Sequence, residues 1–172
     1  MTRQLPSAED LRKVFTYNPD TGKLYWNIRN DVPKYVNTRF AGMEAGSPFS
    51  GRLQVRLNGI SYLVHRIIWV IMLGDVLNPK DDIDHKDLNG FNNEWNNLRI
   101  ATRSQNIANR NMQINNDFGI KCIDKLPGGS YRVRIAGVHL CCCTTIEEAV
   151  EVYNIAATKL YGEYGRLILL PM

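Results

Sequence analysis

Ile83-Asp84-His85-Lys86-Asp87-Leu88-Asn89-Gly90, then Asn96-Asn97-Leu98-Arg99, then Thr102-Arg103-Ser104-Gln105-Asn106 is the stretch on which the fold of this chain turns. It sets an imidazole beside a carboxylate and follows them with amides and arginines. Hydrolysis of a phosphodiester needs a base to deprotonate water, a counter-charge for the phosphoryl oxygens and help for the departing 3′ oxygen. Imidazole has a reference pKa of about 6.5, so His85 is the candidate base. A divalent ion would supply the counter-charge. Asp84 offers that ion a carboxylate. Neighbours on a strand face opposite ways, so Asp84 can face an ion while His85 faces the attacking water.

Thr102 and Gln105 form a capping box, which starts a helix after Thr102. The helix carries Asn106, whose side-chain carbonyl is the second candidate ligand, together with Asn109 and Arg110. A sparse set of oxygen donors suits Mg2+, which keeps several waters and takes substrate phosphate; zinc wants more nitrogen or sulfur. Asn97 either braces the intervening loop or orients the His85 ring by accepting its second N–H. Arg99, Arg103 and Arg110 are candidate phosphate contacts; Arg99 is alternatively an ion-pair partner of the acidic stretch Asp81-Asp82-Ile83-Asp84. Asp87-Leu88-Asn89-Gly90 has the flavour of a calcium loop but lacks its alternating ligands and terminal Glu.

Outward from this stretch, alternation of Leu53, Val55 and Leu57 with Arg52, Gln54 and Arg56 predicts a strand. Asn58-Gly59 turns it into a hairpin that returns through Ile60 to Val64. One face packs inward; the other presents Arg52 and Arg56 either to a polyanion or to solvent. Val64, Ile67, Ile68, Ile71 and Met72 predict a core helix that stops at Gly74. Upstream, Ser7 and Asp10 start a short helix, Asn18 to Gly22 reads as a turn and Lys23 to Trp26 as a strand. Residues 27–50 show no period and are expected to be loop.

Downstream, residues 111–117 hold three Asn and one Asp and read as a linker. Gly119 to Ile123, Tyr131 to Ile135 and His139 to Cys143 read as strands, with turns at Pro127-Gly128-Gly129 and Ala136-Gly137. Thr145 and Glu148 cap a helix running to Leu160. Three strands and a helix make a small α+β module. Its alternation leaves Arg132 and Arg134 on one face of the middle strand.

The chain has 172 residues and a formal charge of +4. All of the excess lies in residues 1–111, with 15 basic against 11 acidic side chains; residues 112–172 carry six of each. This permits a nucleic-acid partner without requiring one. The longest apolar run, Ile67 to Leu73, is far shorter than the roughly 20 residues of a membrane span. The first ten residues lack a signal-peptide pattern. A soluble, cytoplasmic protein with no membrane partner is expected. Of the four cysteines, three are adjacent at 141–143, which suits packing thiols better than a disulfide framework or a zinc site.

Residues 62–111 closely resemble the HNH nuclease family, in the subgroup carried by bacteriophages and mobile introns. The resembling text is Val64-His65-Arg66, Ile83 to Gly90, Asn92-Asn93, Asn96 to Arg99, Ala101-Thr102 and Gln105 to Asn109. The resemblance implies a ββα-metal fold with His85 on the first strand as general base and Asn97 as the middle, bracing Asn. It makes Asp84 and Asn106 ligands of Mg2+ or Mn2+. Many members carry His where this chain has Asn106. His65 falls at a structural or DNA-facing position. Residues 118–166 resemble an AP2-type DNA-binding domain, through Phe118-Gly119-Ile120, Tyr131 to Ile135, His139-Leu140, Thr145, Glu147 to Val150, Tyr153-Asn154 and Ala156-Ala157. Cys141, Cys143 and Tyr131 depart from that pattern. This resemblance implies a sheet in the major groove, with Arg132 and Arg134 at phosphate or guanine edges. Phe15 to Trp26 is similar to the lead-in before such nuclease domains and is expected to add DNA contacts.

The expected architecture is therefore α+β: an HNH nuclease region over 1–111 (core motif 62–111), a linker over 112–117 and an AP2-like domain over 118–172. The expected function is metal-dependent cleavage of double-stranded DNA at a preferred site, by a homing-type or strand-nicking enzyme that is monomeric in solution. The alternative is a non-catalytic, sequence-specific DNA-binding regulator, which a blocked Asp84 would favour. A third reading, a packaging component, requires neither DNA affinity nor a divalent ion. RNA is the weaker substrate because no aromatic platform for unstacked bases is evident.

Overall fold

The computed structural model describes residues 5–74, 78, 81–109 and 120–170, with backbone alone at Asp81. The chain divides into two compact units, Met1–Thr102 and Arg103–Met172. Both mix helices with small antiparallel sheets.

The first unit opens with α1 (Ala8–Val14), whose Ser7 cap accepts from the Asp10 amide. β1 (Phe15–Asn18) and β2 (Lys23–Trp26) form a hairpin. The Asn18 side chain closes its turn by accepting from the amides of Asp20 and Thr21. α2 (Lys34–Phe40) and β3 (Ser47–Phe49) come next, inside the segment expected to be loop. α2 buries no residue, so it leaves no apolar period to read. β4 (Arg52–Leu57) pairs with β3 and with β5 (Ile60–Leu63), and Asn58 and Gly59 both take positive φ in the tight turn.

α3 (Val64–Leu73) ends on a left-handed Gly74. Its Ile67, Ile68 and Val70 are fully buried against Leu11, Phe15 and Leu24. Each such side chain contributes about 1.5–3 kcal/mol of burial. β6 (Asp81–His85) and β7 (Leu98–Thr102) form the last hairpin of the unit, joined by a long polar loop that ends in a 3-10 turn, Trp95–Asn97. Ile83 and Leu98 anchor this hairpin in the core, and Trp95 stacks on Trp69 with ring centroids 5.0 Å apart.

The second unit begins with α4 (Arg103–Asn109), the helix expected after Thr102. The unit boundary thus falls before this helix, whereas the sequence places the linker after it. The Lys121 ammonium donates to the carbonyls of Ala108 and Ile107 at the end of α4, tying the helix to the rest of its unit. The expected linker 112–117 lies outside the described residues, as do Arg110, Phe118 and Gly119.

β8 (Ile123–Lys125), β9 (Tyr131–Ile135) and β10 (Val138–Cys143) form a sheet with β9 in the middle. The first of these strands starts later than the sequence suggested. Cys122 has a φ of 64°, which breaks an extended run before Ile123. α5 (Ile146–Tyr161) carries the expected capping box at Thr145 and Glu148. It packs Ala149, Val150, Tyr153 and Ala157 on Ile123, Val133 and Ile135. The cysteines are free thiols: Cys143 lies in this core, Cys141 packs against it and Cys142 is exposed.

Candidate active site

The β6–β7 register sets each side chain of the candidate site. Asp84 lies directly opposite Arg99, and His85 opposite Leu98. Directly opposed residues share a face, so the carboxylate of Asp84 meets the guanidinium of Arg99. Both guanidinium contacts to Asp84 Oδ2, from Nε and a terminal nitrogen, are 2.9 Å long. The pair is desolvated: the side chains are 5% exposed for Asp84 and 10% for Arg99. Of the two places open to Arg99, phosphate contact or ion pair, the structure shows the ion pair.

His85 is the last residue of β6 and is itself buried. Its Nε2 lies 3.2 Å from Asn93 Oδ1. Burial lowers the ring's pKa below the ordinary 6.5; the Asn93 contact raises it, and the charge of Arg52 lowers it further. The net depression keeps the imidazole neutral at physiological pH, the form a base requires. Arg52 therefore acts on this ring through its charge.

Asn93 does not stand out in the sequence, although the family resemblance includes it. Five asparagines fall between residues 89 and 97, and nothing in the residue type says which one faces the ring. Asn97 takes the other expected role and braces the loop. Its amide donates to Asp87 Oδ1 at 2.9 Å and to the Asn92 carbonyl at 2.8 Å, and its Oδ1 accepts from the Asp87 amide at 3.1 Å. Asp87 is the hub of this loop. Burial raises its pKa, but donors from Asn92, Asn89 and Asn97 outweigh this and hold the carboxyl below its ordinary value.

Two close approaches fix the loop from outside. A Cβ on Gly90 would stand 2.3 Å from the carbonyl oxygen of Gly51, so the loop seats directly on the turn before β4. A Cβ on Gly22, whose φ is 68°, would stand 2.4 Å from the Glu94 amide nitrogen. The β1–β2 hairpin thus supports the segment that carries Asn93. Tyr17 Oη donates to the Asn93 carbonyl at 2.7 Å, and the Trp95 amide donates to the Pro19 carbonyl at 3.0 Å. The lead-in has a structural task at the site that its sequence did not disclose.

Behind His85 stands His65 of α3, its ring edge-on at a centroid distance of 5.1 Å and an angle of 89°. His65 is 3% exposed, and its Nδ1 has no hydrogen-bond partner among the described residues. Burial first, then the proximity of His85, Arg52 and Arg66, lowers its pKa well below 6.5.

Arg56 is exposed on β4 and donates to the Gly59 carbonyl. Arg103 (exposed) and Asn106 (half-buried) lie on α4 in the second unit. Arg132 and Arg134 share the outer face of β9, and both pair with Asp124 of β8, at 3.1 and 2.8 Å.

Asp84 supplies a hard oxygen donor, the type of which Mg2+ takes one or two beside water and substrate phosphate. That chemistry fits such an ion. Among the described residues no three His, Cys, Asp or Glu side chains gather as a metal-holding group, so they do not build a closed structural zinc site.

Residues 62–108 match the family model described as HNH endonuclease. The chain is also similar to an uncharacterized HNH endonuclease of Acanthamoeba polyphaga mimivirus, at 30% identity over 106 residues, covering 59% of this chain and 54% of that protein. The chain thus spans about half the length of the curated relative it matches. No solved structure matches the chain.

Proposed function

We propose that this protein is a metal-dependent endonuclease that hydrolyses phosphodiester bonds in duplex DNA. The observation that carries the reading is the buried imidazole of His85, held against Asn93 and adjacent in sequence to Asp84, inside the segment matched to the HNH endonuclease model. The chain order of β6, β7 and α4 is the order a ββα core requires.

In this reading His85 takes a proton from water, whose oxygen forms the new bond to phosphorus as the P–O3′ bond breaks. Asn93 orients the ring, and Asn97 with Asp87 keeps the connecting loop in place. Asp84 and Asn106 would hold Mg2+ or Mn2+, which when bound offsets charge on the phosphoryl and departing oxygens. Arg52, Arg56, Arg103 and Arg110 would contact the DNA backbone. The sheet of the second unit, AP2-like in this proposal, would present Arg132 and Arg134 to the duplex. One catalytic centre per chain suits a strand-nicking enzyme, or a homing-type enzyme that cuts the two strands in turn.

A second reading, a non-catalytic DNA-binding regulator, is favoured by one observation: the Asp84 carboxylate is held by Arg99. The two readings separate on supercoiled and nicked duplex DNA incubated with and without Mg2+. The nuclease reading expects cleavage by the wild type with Mg2+ and none by His85→Ala. Retained DNA binding without cleavage by either protein supports the regulator.

A further inference from the structure

We propose that Arg99 is the resident counter-cation of Asp84, displaced when a divalent ion and a DNA phosphate arrive together. The ion takes the carboxylate and the guanidinium takes the phosphate. This rests on the nuclease reading above and adds a coupling that the reading does not contain.

The pair is built into the fold. Asp84 and Arg99 are directly opposed in the β6–β7 register, which sets the two side chains next to each other on one face. Two guanidinium nitrogens reach one carboxylate oxygen, both at 2.9 Å, in a place where both side chains are nearly dry. There a carboxylate without a cation is strongly disfavoured, and so is a guanidinium without an anion.

Charge balance then orders the events. As it stands the pair is neutral. A dication entering alone would leave a guanidinium and a double positive charge side by side in a poorly solvated space, with Arg52 close enough to act on His85 as well. Phosphate removes that conflict, because it offers the guanidinium an anionic partner able to take two N–H bonds. Binding of the ion and of DNA therefore become reciprocal. The same arrangement accounts for an occupied Asp84 in a chain that matches a nuclease family. The ion pair is the resting state of the site rather than a permanent block.

The experiment is Mn2+ binding by the full chain without DNA, read from the electron paramagnetic resonance signal of free Mn2+, for wild type, Arg99→Gln and Asp84→Asn. Arg99→Gln is expected to bind Mn2+ about tenfold more tightly than wild type, within the roughly 5–150-fold range of such couplings. Asp84→Asn is expected to lose this binding. In a His85→Ala background, duplex DNA should tighten Mn2+ binding, and adding Arg99→Gln should shrink that effect.

Unchanged or weaker Mn2+ binding by a folded Arg99→Gln, with Asp84→Asn still losing it, overturns the exchange and leaves the nuclease reading standing. Mn2+ binding indifferent to Asp84→Asn overturns both. Circular dichroism reports folding. If Arg99→Gln unfolds, Arg99→Met carries the test, because it removes the same charge and keeps the apolar stem. Several-fold tighter Mn2+ binding supports the exchange, and unchanged binding refutes it.

Discussion

The His65 ring stands edge-on to the His85 ring at 89°, and it is the more deeply buried of the two, with an Nδ1 that has no partner among the described residues. Burial lowers the pKa of both imidazoles. A histidine with a depressed folded pKa binds fewer protons folded than unfolded, so its contribution to stability is present above the unfolded value of about 6.5. That contribution is lost progressively as pH falls from there toward the folded pKa. Urea melts between pH 7.5 and 5 should show wild-type stability falling on the acid side. His65→Phe should flatten the decline, because it removes the more strongly shifted group. An equally steep decline in His65→Phe would remove His65 from this account.

Asn93 positions the candidate base, so Asn93→Ala should slow cleavage far more than it weakens DNA binding. Loss of the partner that orients a metal-ligating histidine typically costs about 10–100-fold, and a loss on that scale is expected for His85. Gel-shift affinity and single-turnover rate, measured on the same duplex, separate the two effects. A loss confined to affinity would assign Asn93 to DNA contact instead.

Gly90→Ala places a methyl group against the Gly51 carbonyl, and something must move. Overpacking of this kind costs about 1–3 kcal/mol. Thermal or urea denaturation should show that loss together with slower cleavage, since the loop carries the partner of His85. Tyr17→Phe, which removes one hydrogen bond to the Asn93 carbonyl, should cost only about 1 kcal/mol.

On the second unit, Asp124 neutralises Arg132 and Arg134 on the outer face of the sheet. If that face meets DNA, Asp124→Asn should tighten binding by up to about fivefold, the scale of an exposed ion pair worth at most about 1 kcal/mol. Arg132→Ala should weaken binding and lower its salt dependence. Fluorescence anisotropy across a salt series reads both, and affinity unchanged in both variants would place the duplex elsewhere.

Features encoded locally were legible in the sequence. Asn58-Gly59 specifies its hairpin through two positive φ values, and the capping box at Thr145 and the Gly74 stop arise from side-chain and backbone chemistry within one turn. The strand carrying Asp84 and His85 was legible too. What depended on distant partners was not. α2 has no buried face, Asn93 differs from its neighbouring asparagines only by where the loop points it, and the support from Gly22 and Tyr17 comes from segments that meet the loop only on folding. Residue type left Arg99 two partners, phosphate or carboxylate, and it is cross-strand register that sets it beside Asp84. The compact units divide before α4, and one partner of the end of that helix, Lys121, comes from the later segment.

The central claim concerns one imidazole. Cleavage of supercoiled duplex DNA by purified wild-type and His85→Ala protein in Mg2+, with DNA binding measured in the same preparations, tests it most directly. The account predicts nicked or linear product from the wild type, and none from a His85→Ala protein that still binds. Undiminished cleavage by His85→Ala, or a wild type that binds duplex and leaves it intact, would contradict it.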